Sequence, residues 1–222
     1  MTRRSLIAPT AIVFDFDLTI ADSRPGFIAG HTYAAQQTGV DVLDDDTIAR
    51  SIGTPLDIFV PRVFPGLDPT TITEYIRLYR AKADEVMVDL TSMLPGAADT
   101  VRALHDEGLR LAIVSQKLRH LVFAVLERED LAGCFKVVLG GQDVPAFKPD
   151  PRGLQMALER LGVDADDAIY VGDTVIDAEA AANANLRFIG VLTGPTAAAE
   201  FEPYQKLTLL PTVNDLPGYL GL

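Results

Sequence analysis

Apolar and polar positions alternate along this chain in three distinct ways. The first stretch, Ala11-Ile12-Val13-Phe14, is wholly apolar and ends abruptly in Asp15-Phe16-Asp17-Leu18-Thr19. Four apolar residues in succession suit a strand buried on both faces, as in the middle of a parallel sheet. Two carboxylates and a hydroxyl then fall at its carboxyl end. From about residue 21 to 91 the period becomes helical. Ser23, as a cap, and Pro25, in the first turn, suit a helix that stops at Gly39. Further helices are predicted over 44–52, 56–64 and 68–89, the last with Ile72, Tyr75, Ile76, Tyr79, Ala83 and Val86 at helical spacing. Their aromatic stripe reads as core.

From Leu94-Pro95-Gly96 onward, helix and strand alternate. The spacing predicts helices over 97–107, 118–128, 150–161, 175–184 and 213–222, the first and third closed by Gly108 and Gly162. Strands are predicted over 109–114, 136–139, 168–171, 187–192 and 206–210. Repeated strand-helix-strand units predict the α/β class, with a doubly wound, mostly parallel sheet and right-handed crossovers. The expected organisation is a core domain of residues 1–20 and 92–222, interrupted by an all-helical insertion, residues 21–91.

Composition narrows the partners. The chain has 222 residues, 48% of them hydrophobic, enough to bury a substantial core. Its 31 acids against 19 bases give a net charge of -12, which argues against nucleic acid or an anionic membrane as partner. A small anionic substrate would need a local cationic or metal site. The single cysteine, Cys134, excludes an internal disulfide and is expected as a small buried hydrophobe. His31, His105 and His120 are too far apart for a metal-ligand spacing, and each is expected at the surface or at a helix cap. Arg3-Arg4 before an apolar stretch has the look of a twin-arginine export signal, but Pro9 and Asp15 interrupt that stretch and no small-residue cleavage pattern follows. No window of 18 uncharged apolar residues exists, so the expected location is the cytoplasm.

Candidate chemistry gathers at predicted strand ends. Asp15 and Asp17 repel each other unless a cation or a proton lies between them, so they form a metal site, an acid/base couple or a solvated turn. Ser115 directly follows Ala112-Ile113-Val114 and either holds a phosphate oxygen, with the amides of the next turn, or caps a helix. Lys148, between Phe147 and Pro149, is stiffened by Pro149 and Pro151, with Asp150 placed to cap the next helix; it can neutralise a phosphoryl group or simply be solvated. In Tyr170-Val171-Gly172-Asp173-Thr174-Val175-Ile176-Asp177, Gly172 permits close backbone approach and the two acids lie one helical turn apart. Such hard oxygen ligands suit Mg2+, or they favour a helix N-terminus.

In this order the four elements resemble those of the haloacid dehalogenase superfamily, over essentially the whole chain. The first motif reads Asp15-Phe16-Asp17-Leu18-Thr19, the second Ser115, the third Lys148, and the fourth Gly172-Asp173 with Asp177. The insertion resembles the helical cap of the subgroup that contains phosphoglycolate phosphatases and β-phosphoglucomutases. The resemblance implies a Rossmann-like core and a magnesium-dependent phosphatase acting on the phosphate ester of a small metabolite, with phosphoglycolate as a candidate. Asp15 would be the nucleophile and Asp17 the proton donor and then acceptor. Mg2+ would be held by the Asp15 carboxylate, the Asp17 backbone carbonyl and Asp173. Ser115, Gln116, Lys148 and Thr19 would bind phosphate, while Gly172 and Asp177 support the site, Asp177 by holding Lys148 or a metal-bound water. The protein would be a monomer or a homodimer.

Three positions depart from the family pattern. Leu18 replaces a common glycine, Gln116 a frequent asparagine, and Asn185 a glycine that often closes the helix after the fourth motif. Asp17 favours phosphate esters over dehalogenase or phosphonate chemistry. Related mutases carry a histidine early in the cap, where Phe27 stands here. The segment Ser51-Ile52-Gly53-Thr54-Pro55-Leu56 resembles a cap loop facing the active site and equally suits a plain turn. Arg24, Arg50 and Arg80 are candidate partners for a substrate carboxylate. A non-enzymatic phosphoacceptor would also place an aspartate, a hydroxyl and a lysine at strand ends, but it needs neither the helical insertion nor Asp17.

Overall fold

Strand β1 (Ala11–Phe14) is buried along its whole length, as its uninterrupted apolar run requires. The computed structural model describes residues 8–222, so the Arg3-Arg4 segment lies outside the described residues. After β1 come β2 (Ala21–Asp22), helices α1 (Arg24–Thr38), α2 (Asp45–Ala49), α3 (Leu56–Val63) and α4 (Pro69–Leu90), and β3 (Ser92–Met93). The chain continues through α5 (Ala97–Asp106), β4 (Arg110–Val114), α6 (Arg119–Arg128), β5 (Phe135–Leu139), α7 (Arg152–Leu161) and β6 (Ala168–Gly172). It ends with α8 (Val175–Asn183), β7 (Arg187–Val191), β8 (Thr208–Leu210) and α9 (Leu216–Leu220). Two units result: one runs through Ile20 and resumes at Met93–Leu222, and the other is Ala21–Ser92.

The larger unit is an α/β fold around a six-stranded sheet of order β5-β4-β1-β6-β7-β8, parallel at every pairing. The chain builds outward from β1 through β4 to β5, returns to β6 on the other side of β1, and runs outward again to β8. Strand order therefore reverses between β1 and β6. In such Rossmann-like sheets the crevice outside the carboxyl ends at this reversal is where ligands bind. α7 shows how pattern becomes packing. Leu154, Ala157, Leu158 and Leu161 recur at helical spacing and are buried with Val114, Val137 and Leu139 of the sheet. Each buried leucine contributes about 1.5–3 kcal/mol. Gly162, in the left-handed conformation at φ 69°, ends the helix. α8 buries only alanines, Ala178, Ala180 and Ala181, beside its acid.

In the helical unit α1 packs along α4. Glycine makes this possible at Gly30, where a Cβ would come within 2.8 Å of the Tyr79 ring. Two expectations fail here. His31 is neither at the surface nor at a cap: it is 1% exposed, its Nδ1 lies 3.0 Å from the Tyr75 hydroxyl, and the rings of Phe59, Tyr75 and Tyr79 surround it. The helical period puts it on the same buried face as Ala34 and Ala35, where a neutral imidazole packs as an aromatic. Ser23 holds the N-cap position of α1 but its side chain makes no capping hydrogen bond; the Asp22 carboxylate takes the Arg24 N–H at 3.0 Å and also grips the Arg24 guanidinium. Residues 51–55, just before α3, form a turn with Gly53 at φ 85° and the Thr54 N–H on the Ser51 carbonyl. Elsewhere, Cys134 is half-buried and not a core residue, since it ends a short 3-10 turn before β5. Among the described residues no helix is long and apolar enough to cross a membrane.

Candidate active site

Parallel pairing carries the strand ends to one edge of the sheet. The Asp15 N–H donates to the Val171 carbonyl (2.9 Å), which sets Asp15 beside Gly172 and Asp173, and the Ser115 N–H donates to the Leu139 carbonyl (3.0 Å). Lys148 reaches in from the loop after β5. Its Nζ donates to Asp15 Oδ1 (2.8 Å), Asp177 Oδ1 (2.7 Å) and the Tyr170 hydroxyl (2.9 Å). Tyr170 in turn donates to Asp177 Oδ1 at 2.7 Å. The other Asp177 oxygen accepts from the N–H and hydroxyl of Thr174, which caps α8 reciprocally. Asp177 is thus fully engaged as the holder of Lys148. Asp173 Oδ1 accepts from the Thr19 hydroxyl at 2.9 Å.

On the other flank, Asp17 pairs with Lys117 at 3.0 Å, both side chains being less than a tenth exposed. The Ser115 hydroxyl oxygen accepts the Lys117 N–H at 3.1 Å, which leaves its own proton free to donate. Gln116 carries a buried side-chain oxygen with no hydrogen-bond partner. Asp150 does not form the N-cap of α7, a place taken by Pro151, yet it accepts the Arg152 N–H at 2.9 Å.

Burial dominates the electrostatics. It pushes the Asp15 carboxyl up to about 7; the Lys148 charge pulls it back down, and Asp177 and Asp17 add to the rise. Burial, with repulsion from Asp177 and Asp15, holds Asp173 well above the ordinary carboxylate range. Asp177 goes the other way: burial would raise it, but Lys148 and the hydrogen bonds from Lys148, Thr174 and Tyr170 outweigh that and keep it low. Four buried carboxylates, Asp15, Asp17, Asp173 and Asp177, face two buried ammonium groups, Lys117 and Lys148. With all four ionised, two positive charges are lacking, which a divalent cation would supply, and oxygens of Asp15, Asp173 and Asp177 lie within 4.8 Å of one another. Donors that are all carboxylate oxygen suit Mg2+. Because Asp177 is committed to Lys148, Asp15 and Asp173 are the pair best placed to hold it.

The model of the haloacid dehalogenase-like hydrolases matches residues 12–191. The chain belongs to that family. It is also 30% identical to the phosphoglycolate phosphatase of Escherichia coli (strain K12) over 95% of this chain and 92% of that protein, and equally to that of Salmonella typhi. A solved structure of a candidate haloacid dehalogenase-like hydrolase from Bacteroides fragilis is 32% identical, covers 94% of this chain and 99% of its own, and superposes with a TM-score of 0.89. A haloacid dehalogenase-like family hydrolase from Streptococcus pneumoniae, at 23% identity, shares the fold with a TM-score of 0.86 over 96% of this chain and 98% of its own. Family and relatives together make the protein an enzyme of the phosphatase kind.

Within this haloacid dehalogenase-like core the structure brings together Asp15, Asp17, Thr19, Ser115, Gln116, Lys148, Gly172, Asp173 and Asp177, all from the α/β unit. Sequence reasoning missed Lys117, Tyr170, Thr193 and Gly194. Lys117 stands only two residues after Ser115, and Thr193-Gly194 follow β7 as Asp173 follows β6, so the strand-end rule could have found both. Tyr170 looked like an apolar strand residue. Gly172 is required: a Cβ there would meet the Asp177 side chain at 2.5 Å. Leu18 and Asn185, two of the departures from the family's glycines, both adopt positive φ, 58° and 55°. Of the proposed carboxylate partners, Arg24 is committed to Asp22.

Proposed function

We propose that this protein is a magnesium-dependent phosphatase that cleaves the phosphate monoester of a small metabolite through an aspartyl-phosphate on Asp15. The observation that carries this reading is the Lys148 ammonium, 2.8 Å from Asp15 and held from behind by Asp177 and Tyr170. A nucleophile with a fixed cation at its side can meet an anionic phosphoryl group. Bound Mg2+, held by Asp15 and Asp173, would neutralise charge on the phosphoryl oxygens. Lys148, the Ser115 hydroxyl and the Gln116 amide bind those oxygens as charge spreads over them. Asp15 attacks phosphorus, the bond to the leaving oxygen breaks, and that oxygen takes a proton from Asp17 in its protonated form, which is left as the carboxylate. Asp17 then removes a proton from the water that releases phosphate. Thr19 keeps Asp173 oriented.

The substrate class we propose is a compact ester of the phosphoglycolate type, supported by the 30% identity to phosphoglycolate phosphatase over nearly the whole chain. The helical unit is proposed as the cap that selects substrate, on the ground that it is inserted directly after the acidic motif. Phosphate release from p-nitrophenyl phosphate and from a panel including 2-phosphoglycolate and hexose phosphates, with and without Mg2+, tests the reading. Wild type turns over; Asp15→Asn loses activity altogether. Asp17→Asn loses about 10²–10⁴-fold and accumulates phosphorylated protein with p-nitrophenyl phosphate, whose leaving group needs no proton. Turnover by Asp15→Asn at the wild-type rate defeats the mechanism.

A further inference from the structure

We propose that Thr193 is a positioning residue that locks the acidic loop after β1 to Asp173 at the end of β6. Leu18 lies between Asp17 and Thr19, so its backbone conformation decides where both neighbours point. It is buried and has φ 58°, a conformation that branched residues adopt only under constraint. The other described non-glycine residues at positive φ, Asp130 and Asn185, are types that tolerate it.

The constraint on Leu18 comes from 175 residues away. The Thr193 hydroxyl donates to the Leu18 carbonyl at 2.5 Å. The next residue, Gly194, lies against Asp173 so closely that a Cβ would fall 1.8 Å from Asp173 Oδ2; only glycine fits. Asp173 accepts the Thr19 hydroxyl, and Thr19 is bonded in sequence to Leu18. Leu18, Thr193, Gly194, Asp173 and Thr19 therefore form a closed ring that ties β1, β6 and β7 together at their carboxyl ends. A turn held this way fixes the Asp17 carbonyl and side chain relative to Asp173. In the absence of the Thr193 hydroxyl, Leu18 relaxes toward negative φ and Asp17 and Thr19 swing with it.

The test is a double-mutant cycle on the full chain. Thr193→Val removes the donor at nearly constant shape, Thr193→Ser keeps it, and Leu18→Gly removes the need for it. Two readouts are taken: Mg2+ affinity by calorimetry without substrate, and kcat and KM for p-nitrophenyl phosphate. The kinetic readout rests on the phosphatase reading; the calorimetric one does not. Thr193→Val is expected to weaken Mg2+ binding and to lower kcat by about ten-fold each, the factor one hydrogen bond commands, with KM nearly constant. Thr193→Ser recovers both, and in the Leu18→Gly background Thr193→Val costs about three-fold or less. No loss in Thr193→Val, or the same loss in both backgrounds, overturns the proposal. If Thr193→Val does not fold, the double variant decides: folding restored by Leu18→Gly supports the brace, and failure to restore it overturns it. A wild-type chain that binds Mg2+ but releases no phosphate sinks the phosphatase reading while the calorimetric cycle still judges Thr193.

Discussion

Leu18 shows how a residue survives where its family prefers glycine. The left-handed conformation costs a branched side chain about 1–2 kcal/mol. The hydrogen bond from Thr193 offsets about 0.5–1.5 kcal/mol of that cost, so the strained turn depends on it. Tyr170 makes a different point. Its hydroxyl bridges Lys148 and Asp177, and burial together with the Asp177 charge raises its own pKa well above the usual value, so it stays a neutral donor at all working pH. Tyr170→Phe should lower kcat by about ten-fold, the effect of one lost hydrogen bond on the Lys148 placement, and leave the circular dichroism spectrum unchanged. A variant with full activity would show that Asp177 alone positions Lys148. Sequence gave no hint of this residue, since a tyrosine within Ala168–Gly172 has the same hydropathy pattern whether its hydroxyl is used or not.

At the scale of elements, the helical unit stores a pH dependence. Burial pushes the His31 imidazole down to about 4, while in the unfolded chain it titrates near 6.5. The unfolded state therefore binds a proton first as pH falls, and the stability that neutral His31 contributes is present above pH 6.5 and is lost between 6.5 and about 4. The loss amounts to about 3 kcal/mol. Urea unfolding of wild type and His31→Asn at pH 7 and pH 4.5 should show the wild type losing about this amount relative to the variant on acidification, since the opposing Asp15 titration is common to both. Equal acid sensitivity in the variant would place the titrating group elsewhere. The helices themselves were legible, because the apolar residues of α4 and α7 recur at helical spacing. Their ends were less so: the predicted 206–210 strand and 213–222 helix shrink to Thr208–Leu210 and Leu216–Leu220 after a 3-10 turn, since short terminal elements have few tertiary partners to extend them.

For the molecule as a whole, the net charge of -12 opposes an anionic substrate, and the two buried lysines make the site locally more receptive, as the proposed cation would. In the metal-free fold Asp15 titrates near 7 and at 3.8 when exposed, so the unfolded chain ionises first and the folded chain loses stability as pH rises from about 4 to 7. Mg2+ bound at Asp15, as proposed, would relieve that penalty by favouring the ionised form. The rise in melting temperature on adding Mg2+ should accordingly be larger at pH 8 than at pH 5.5; an equal or smaller rise would mean that the cation binds away from Asp15. By itself the sequence determined the α/β class, the helical insertion and the acidic, hydroxyl and lysine groups at strand ends, because strand and helix periods and the residues that end them are local. Only the tertiary structure decided that Lys117 pairs with Asp17, that Asp177 holds Lys148, that His31 is buried, and that the Thr193 hydroxyl reaches the Leu18 carbonyl. Those contacts join residues whose separation along the chain carries no period: at the sheet they exist because its order sets β4 and β6 beside β1 and β7 beside β6, and around His31 because α1 packs along α4.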